Sequence, residues 1–136
     1  MAKIYLAAPF FKKEEREFVE KIADIFRSSG DEVYVPMEHK IENGENLPNN
    51  EWARKVFEQD IKAIDECDRV IAIYSSLYSD TGTAWECGYA YAKGKEVFIN
   101  ICKEESDSNG KIKNIKSLMV INGSDNYDGY DSYIQM

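Results

Sequence analysis

The 136-residue chain carries 17 basic and 25 acidic side chains, a formal net charge of -8 at pH 7 and a pI near 4.7. That length suits one domain around one core, and the acidity argues against a nucleic-acid or anionic-membrane surface, both of which need basic patches. A neutral small molecule fits this charge better than a polyphosphate. Cys67, Cys87 and Cys102 cannot all pair, and each lies in or beside an apolar segment, which predicts reduced core thiols in a cytoplasmic protein. The long cysteine spacings and the single histidine, His39, predict no metal site. "MAKIYLAAPFF" enters a strand pattern directly, without an apolar stretch long enough for a signal peptide or a membrane span.

"KIYLAA" (3–8) is an apolar run with little alternation, as in a strand buried on both faces. Residues 13–29 form the first predicted helix, with Phe18, Ile22, Ile25 and Phe26 at helical spacing and Gly30 closing it. "DEVYVP" (31–36) is a second strand stopped by Pro36, and the polar "MEHKIENGENLPNN" (37–50) is a long loop of the kind that is often a functional lid. A helix over 51–66, the strand "RVIAIY" (69–74), a helix over 82–93 and the strand "EVFINI" (96–101) follow. Residues 103–114 read as a solvated connection, 117–121 as a short fifth strand, and the end as a tyrosine-rich tail. Alternating helices and continuously apolar strands imply a doubly wound α/β domain over 1–136: a flavodoxin-like parallel sheet of about five strands with helices on both faces. Such sheets bind ligands beyond the carboxyl ends of the first and third strands, which directs attention to 7–11 and 75–86.

Three carboxylates stand out there. Glu86 sits among Ala84, Trp85, Cys87 and Gly88, in the early turns of a helix whose positive end favours an ionised group. Gly82 and Ala90, one turn to either side, are small enough to admit a ligand; alternatively the charge simply escapes at the sheet edge. Asp60 falls on the apolar stripe of Ala53, Val56, Phe57, Ile61 and Ile64, where burial raises a carboxyl pKa towards that of a useful proton donor. It could equally be a structural hydrogen-bonding aspartate. Asp80 is either a helix cap or an acceptor for ligand hydroxyls. A nucleophile, an acid and a hydroxyl anchor together suit cleavage of a glycosidic bond through a covalent sugar ester.

"KIYLAAPFF", "EQDIKAI", "DTGTAWECGYA" and "LMVINGSDN" together resemble the nucleoside 2-deoxyribosyltransferase family over nearly the whole chain. The resemblance implies that Glu86 attacks C1′ of a 2′-deoxynucleoside, expels the base and passes the sugar to another free nucleobase, as in nucleotide salvage. It implies that Tyr5 orients Glu86, that Asp60 shuttles the base proton, and that Asp80 holds the sugar 5′-hydroxyl. Asn126 would contact the same hydroxyl from a neighbouring subunit. It further implies no cofactor and a homo-oligomer built from dimers, up to a hexamer. Phe10, Phe11, Trp52 or Trp85 could wall the base, or pack in the core.

Two rivals accompany this reading. A related hydrolase group cleaves 2′-deoxynucleoside 5′-monophosphates with the same glutamate, tending to carry serine where Asp80 stands; Ser75, Ser76 and Ser79 keep it open. A non-catalytic nucleoside-binding module on this fold is the other. A flavin or dinucleotide site is disfavoured, because neither a G-x-G-x-x-G run nor a P-loop occurs.

Overall fold

The computed structural model describes residues 1–75, 78–102 and 118–125, and through them strand and helix alternate. Strand β1 (Lys3–Ala7) leads to helix α1 (Lys13–Ser28), strand β2 (Glu32–Tyr34) and helix α2 (Asn49–Glu66). Then come β3 (Arg69–Ser75), α3 (Thr81–Ala92), β4 (Glu96–Cys102) and a short α4 (Leu118–Asn122). All strand pairings are parallel, in the order β2-β1-β3-β4. This is the doubly wound, flavodoxin-like order, with the switch point between β1 and β3.

Alternation along β1 sends its side chains into two separate cores. Ile4 and Leu6 pack with Ile71 and Ile73 against Val19 and Ala23 of α1. Tyr5 and Ala7 pack with Val70, Ala72 and Tyr74 against Ile64 of α2 and Cys87 and Ala90 of α3. Both faces of the sheet are therefore covered, which explains the unbroken apolar runs of its central strands. All three cysteines are free and buried. Among the described residues, no helix is long and apolar enough to cross a membrane, and no cluster of three His, Cys, Asp or Glu side chains could hold a metal ion.

Several sequence expectations are corrected. The segment expected as a fifth strand near 117–121 is helical from Leu118, so the described sheet has four strands. A run of four apolar residues cannot by periodicity distinguish a strand from a buried helical turn; here Val120 and Ile121 turn inward while Met119 is exposed. The outer edge of β4 is met instead by Asp125, whose carboxylate and N–H pair with Val97 N–H and C=O, both at 2.7 Å. On α1 the inward residues are Glu15, Val19 and Ala23, with Phe18, Ile22 and Phe26 flanking them and Ile25 exposed. The long loop expected over 37–50 is present, with two 3-10 turns, Pro36–Glu38 and Gly44–Asn46, and α2 begins two residues earlier than expected, at Asn49.

Candidate active site

Helix α3 starts because Asp80 caps it: Oδ2 accepts from Thr83 N–H at 2.8 Å and from Thr83 Oγ1 at 2.9 Å. The capping role expected of Asp80 is thus filled; Asp80 is not itself among the residues that border the cleft, but immediately precedes Thr81 and Gly82, which are. Glu86 stands between Gly82, which is exposed, and Ala90, which is fully buried, at the level where the inner face of α3 passes from cleft to core. Gly82 itself borders the cleft, and a side chain there would begin 3.3 Å from Asp80 Oδ2.

The cleft of about 560 Å³ runs between α2 and α3, with Asp60, Ile61 and Phe57 on one wall and Gly82, Trp85 and Glu86 on the other. Asp60 and Glu86, 26 positions apart in the chain, therefore face one space. Behind it, the Tyr5 hydroxyl donates to Glu86 Oε2. Tyr5 is fully buried in the centre of the sheet, registered against Tyr34 of β2 and Val70 of β3, so its hydroxyl has little freedom to aim elsewhere. Its ring stacks on Tyr34 at 5.6 Å, and Tyr34 stacks on His39 at 4.1 Å. Gln59 secures the far end of this column by donating to His39 C=O at 2.9 Å.

These surroundings set the titrations. Burial pushes the Glu86 carboxyl up to about 7; the Tyr5 hydroxyl opposes the rise, and the charges of Asp60 and Asp80 add to it. Burial also raises Asp60 to about 6, against a small downward pull from His39. The Tyr5 phenol lies well above its usual range because it is buried beside the Glu86 charge. The expectation that the helix end holds Glu86 ionised is corrected here. A helix N-terminus is worth about 0.3–1 kcal/mol within its first turn, whereas moving a carboxyl from 4.5 to about 7 reflects about 3 kcal/mol. Desolvation wins, and Glu86 is poised near neutrality. The adjacent Cys87 thiol is pushed up to about 12, chiefly by burial, which keeps it protonated and poorly nucleophilic.

Glu86, Asp60, Tyr5 and Gly82 are thus brought together, with Asp80 at the edge. Phe10 is not among the residues bordering the cleft; it stacks on Phe11 at 5.8 Å on the exposed turn after β1. None of Phe10, Phe11, Trp52 and Trp85 is a core residue, since all four are exposed. Trp85 meets Phe57 edge to face at 5.4 Å, and both rings border the cleft. The Asn126 expectation lies outside the described residues, as do Ser76 and the tyrosines of the tail.

Sequence reasoning missed Glu15. Its side chain is 2 % exposed, and Oε1 accepts from the N–H groups of Phe11 and Lys12 at 3.1 and 2.9 Å. The signal was available: a glutamate three residues after the helix-capping position often folds back onto the preceding backbone.

A sequence profile of the nucleoside 2-deoxyribosyltransferase family matches residues 4–118. A nucleoside deoxyribosyltransferase of Lactobacillus johnsonii is 31% identical over 77 residues, a stretch that spans 52% of each protein, so the match covers about half the length of that relative. A protein of Thermofilum pendens provisionally named 2′-deoxynucleoside 5′-phosphate N-hydrolase 1 is 27% identical over 107 residues, covering 78% of this chain and 72% of that one. Among solved structures, a 2-deoxyribosyltransferase from Bacillus psychrosaccharolyticus superposes with a TM-score of 0.73 at 31% identity, covering 98% of this chain and 93% of its own. With the profile matching residues 4–118 and a 31% identical solved structure covering 98% of this chain, the chain belongs to the nucleoside 2-deoxyribosyltransferase family.

Proposed function

We propose that the protein is a nucleoside 2-deoxyribosyltransferase that moves 2-deoxyribose between nucleobases through a sugar ester on Glu86. The observation that carries this reading is the meeting of Glu86, its tyrosine partner and Asp60 around one cleft. In the first step the Glu86 carboxylate attacks C1′ while protonated Asp60 delivers its proton to the departing base. The C1′–N bond breaks with its electron pair on the base, and the C1′–O bond to Glu86 forms. In the second step a different base attacks C1′, Asp60 takes up the proton it sheds, and the carboxylate is released. Lacking an electron-withdrawing 2′-hydroxyl, the sugar already leans towards an ionic transition state, which a facing carboxylate stabilises. The hydrogen bond from Tyr5 fixes the attacking oxygen and moderates its basicity.

Asp80 would accept from the sugar 5′-hydroxyl, Gly82 would leave room for the sugar, and Phe57 and Trp85 would offer the base an apolar wall. A homo-oligomer built from dimers and a cytoplasmic, cofactor-free life remain part of this reading. The monophosphate N-hydrolase reading draws support from the Thermofilum pendens relative. Against it, a 5′-phosphate would approach Asp80, and two unit charges 4 Å apart at an effective dielectric near 20 repel by about 4 kcal/mol.

Incubating the protein with thymidine or deoxyadenosine and a different free base tests the reading by chromatography. Exchanged nucleoside should form, Glu86→Ala should abolish it, and the matching 5′-monophosphates should react poorly. Base release from monophosphates alone, or turnover that survives Glu86→Ala, would overturn it.

A further inference from the structure

The mechanism leaves one buried carboxylate unused. Glu15 lies on the α1 side of the sheet, yet its two oxygens reach both loops that flank the carboxyl ends of β1 and β3. Oε1 accepts from Phe11 and Lys12 N–H in the loop after β1. Oε2 accepts from the hydroxyl of Tyr78 in the loop after β3. The Lys12 ammonium also sits 5.0 Å above the Tyr78 ring, a second tie between the same two loops. Arg16, one residue further along α1, donates to the carbonyls of Phe10 and Phe11 at 3.2 and 3.0 Å. The β1 loop is thus fastened to α1, and the β3 loop to the β1 loop.

Tyr78 stands two residues before Asp80. The α3 cap fixes Asp80 from the helix side through Thr83, and Tyr78 fixes the chain entering it from the other side. A carboxylate that must meet a ligand hydroxyl within hydrogen-bond distance needs both restraints, because angular error weakens such bonds steeply. Burial makes the tie stiff: Glu15 cannot exchange its partners for water without opening the α1 core face.

We propose that Glu15 and Tyr78 are positioning residues that set the Asp80 carboxylate for the sugar 5′-hydroxyl, so that the interloop tie governs recognition of that group. This rests on the functional reading above.

The test compares the parent chain with Tyr78→Phe in base exchange, using thymidine and 5′-deoxythymidine as donors. Tyr78→Phe should raise the KM for thymidine about tenfold, the worth of roughly one misplaced hydrogen bond, with kcat little changed. For 5′-deoxythymidine the two proteins should have equal KM. The double variant Glu15→Gln with Tyr78→Phe should behave in the same way, because its amide oxygen keeps the backbone bonds and the group left without its Tyr78 partner is a neutral amide, which costs less to bury than a charge. A parent-like KM for thymidine in the double variant, or a rise of the same size with both donors, would overturn the proposal. Absence of exchange in the parent chain would overturn the functional reading itself, and this inference with it.

Discussion

Replacing Tyr5 by Phe removes the hydroxyl bonded to Glu86 and leaves the ring, its burial and its stack on Tyr34 in place. The bond favours the ionised carboxylate, so its loss must raise the Glu86 pKa from its starting value of about 7. A hydrogen bond to a charged group is worth about 1.5–3 kcal/mol, and each 1.36 kcal/mol is one pH unit, so the Glu86 pKa should rise by about 1–2 pH units. At pH 7 the ionised fraction would fall from about half to between roughly a tenth and a hundredth. The assay is the pH dependence of kcat/KM for base exchange, which reports the free protein. In the parent, with Glu86 near 7 and Asp60 near 6, the productive form has the first ionised and the second protonated. It is the minor of two one-proton forms, by about tenfold, and the profile should be a bell peaking between the two values. In Tyr5→Phe the upper break, which Glu86 sets, should move up from about 7 while the lower one, which Asp60 sets, stays near 6, so that the peak shifts to higher pH and falls. A bell whose two breaks both stay in place while activity drops by one factor at every pH would refute the reasoning, since only lost orientation, not a changed pKa, could then explain the loss.

Glu86→Gln should abolish exchange yet stabilise the fold at high pH. The folded pKa is raised above the unfolded 4.5, so the native state holds the proton more tightly, and the parent loses stability as pH rises from about 4.5 through 7. The variant should therefore gain up to about 3 kcal/mol at pH 8 and little at pH 4.5, seen as a melting-temperature difference that grows with pH; a constant difference would contradict this. Asp60→Asn should lower exchange by about 10²–10⁴-fold for ordinary bases, the usual worth of a general acid, and much less for a base already carrying a positive charge. Equal losses on both would remove Asp60 from proton transfer. His39→Gln should raise the Asp60 pKa, because His39 pulls it down, and so move the lower break of the bell, which Asp60 sets, to higher pH by a fraction of a pH unit. A downward move would contradict the assignment.

Alternating chemistry along the chain made the fold legible. Continuous apolar strands meant a covered parallel sheet, and an aspartate on the α2 stripe meant an inward acid. The same stripe misled in one respect. Of Ala53, Val56, Phe57, Ile61 and Ile64, only Ile64 is buried, and the others stand in or beside the cleft, because periodicity gives the face of a helix but not what covers it. Tyr5 was legible only through family resemblance. A tyrosine in an apolar strand gives no sign that its hydroxyl will meet a helix residue 81 positions later. Glu15 was hidden inside a charged run, "KKEERE", that reads as a solvated helix face. Its burial follows from the loop it folds back on, which a helical projection does not contain. The fifth strand failed for want of length.

The most direct measurement of the central claim is the mass of the Glu86 peptide after brief incubation with a deoxynucleoside and no acceptor base, followed by acid quench and digestion. The account predicts one deoxyribosyl group on Glu86, absent from Glu86→Gln and discharged when a free base is added before the quench. Base exchange proceeding at full rate with the sugar found on another side chain, or on none, would contradict it.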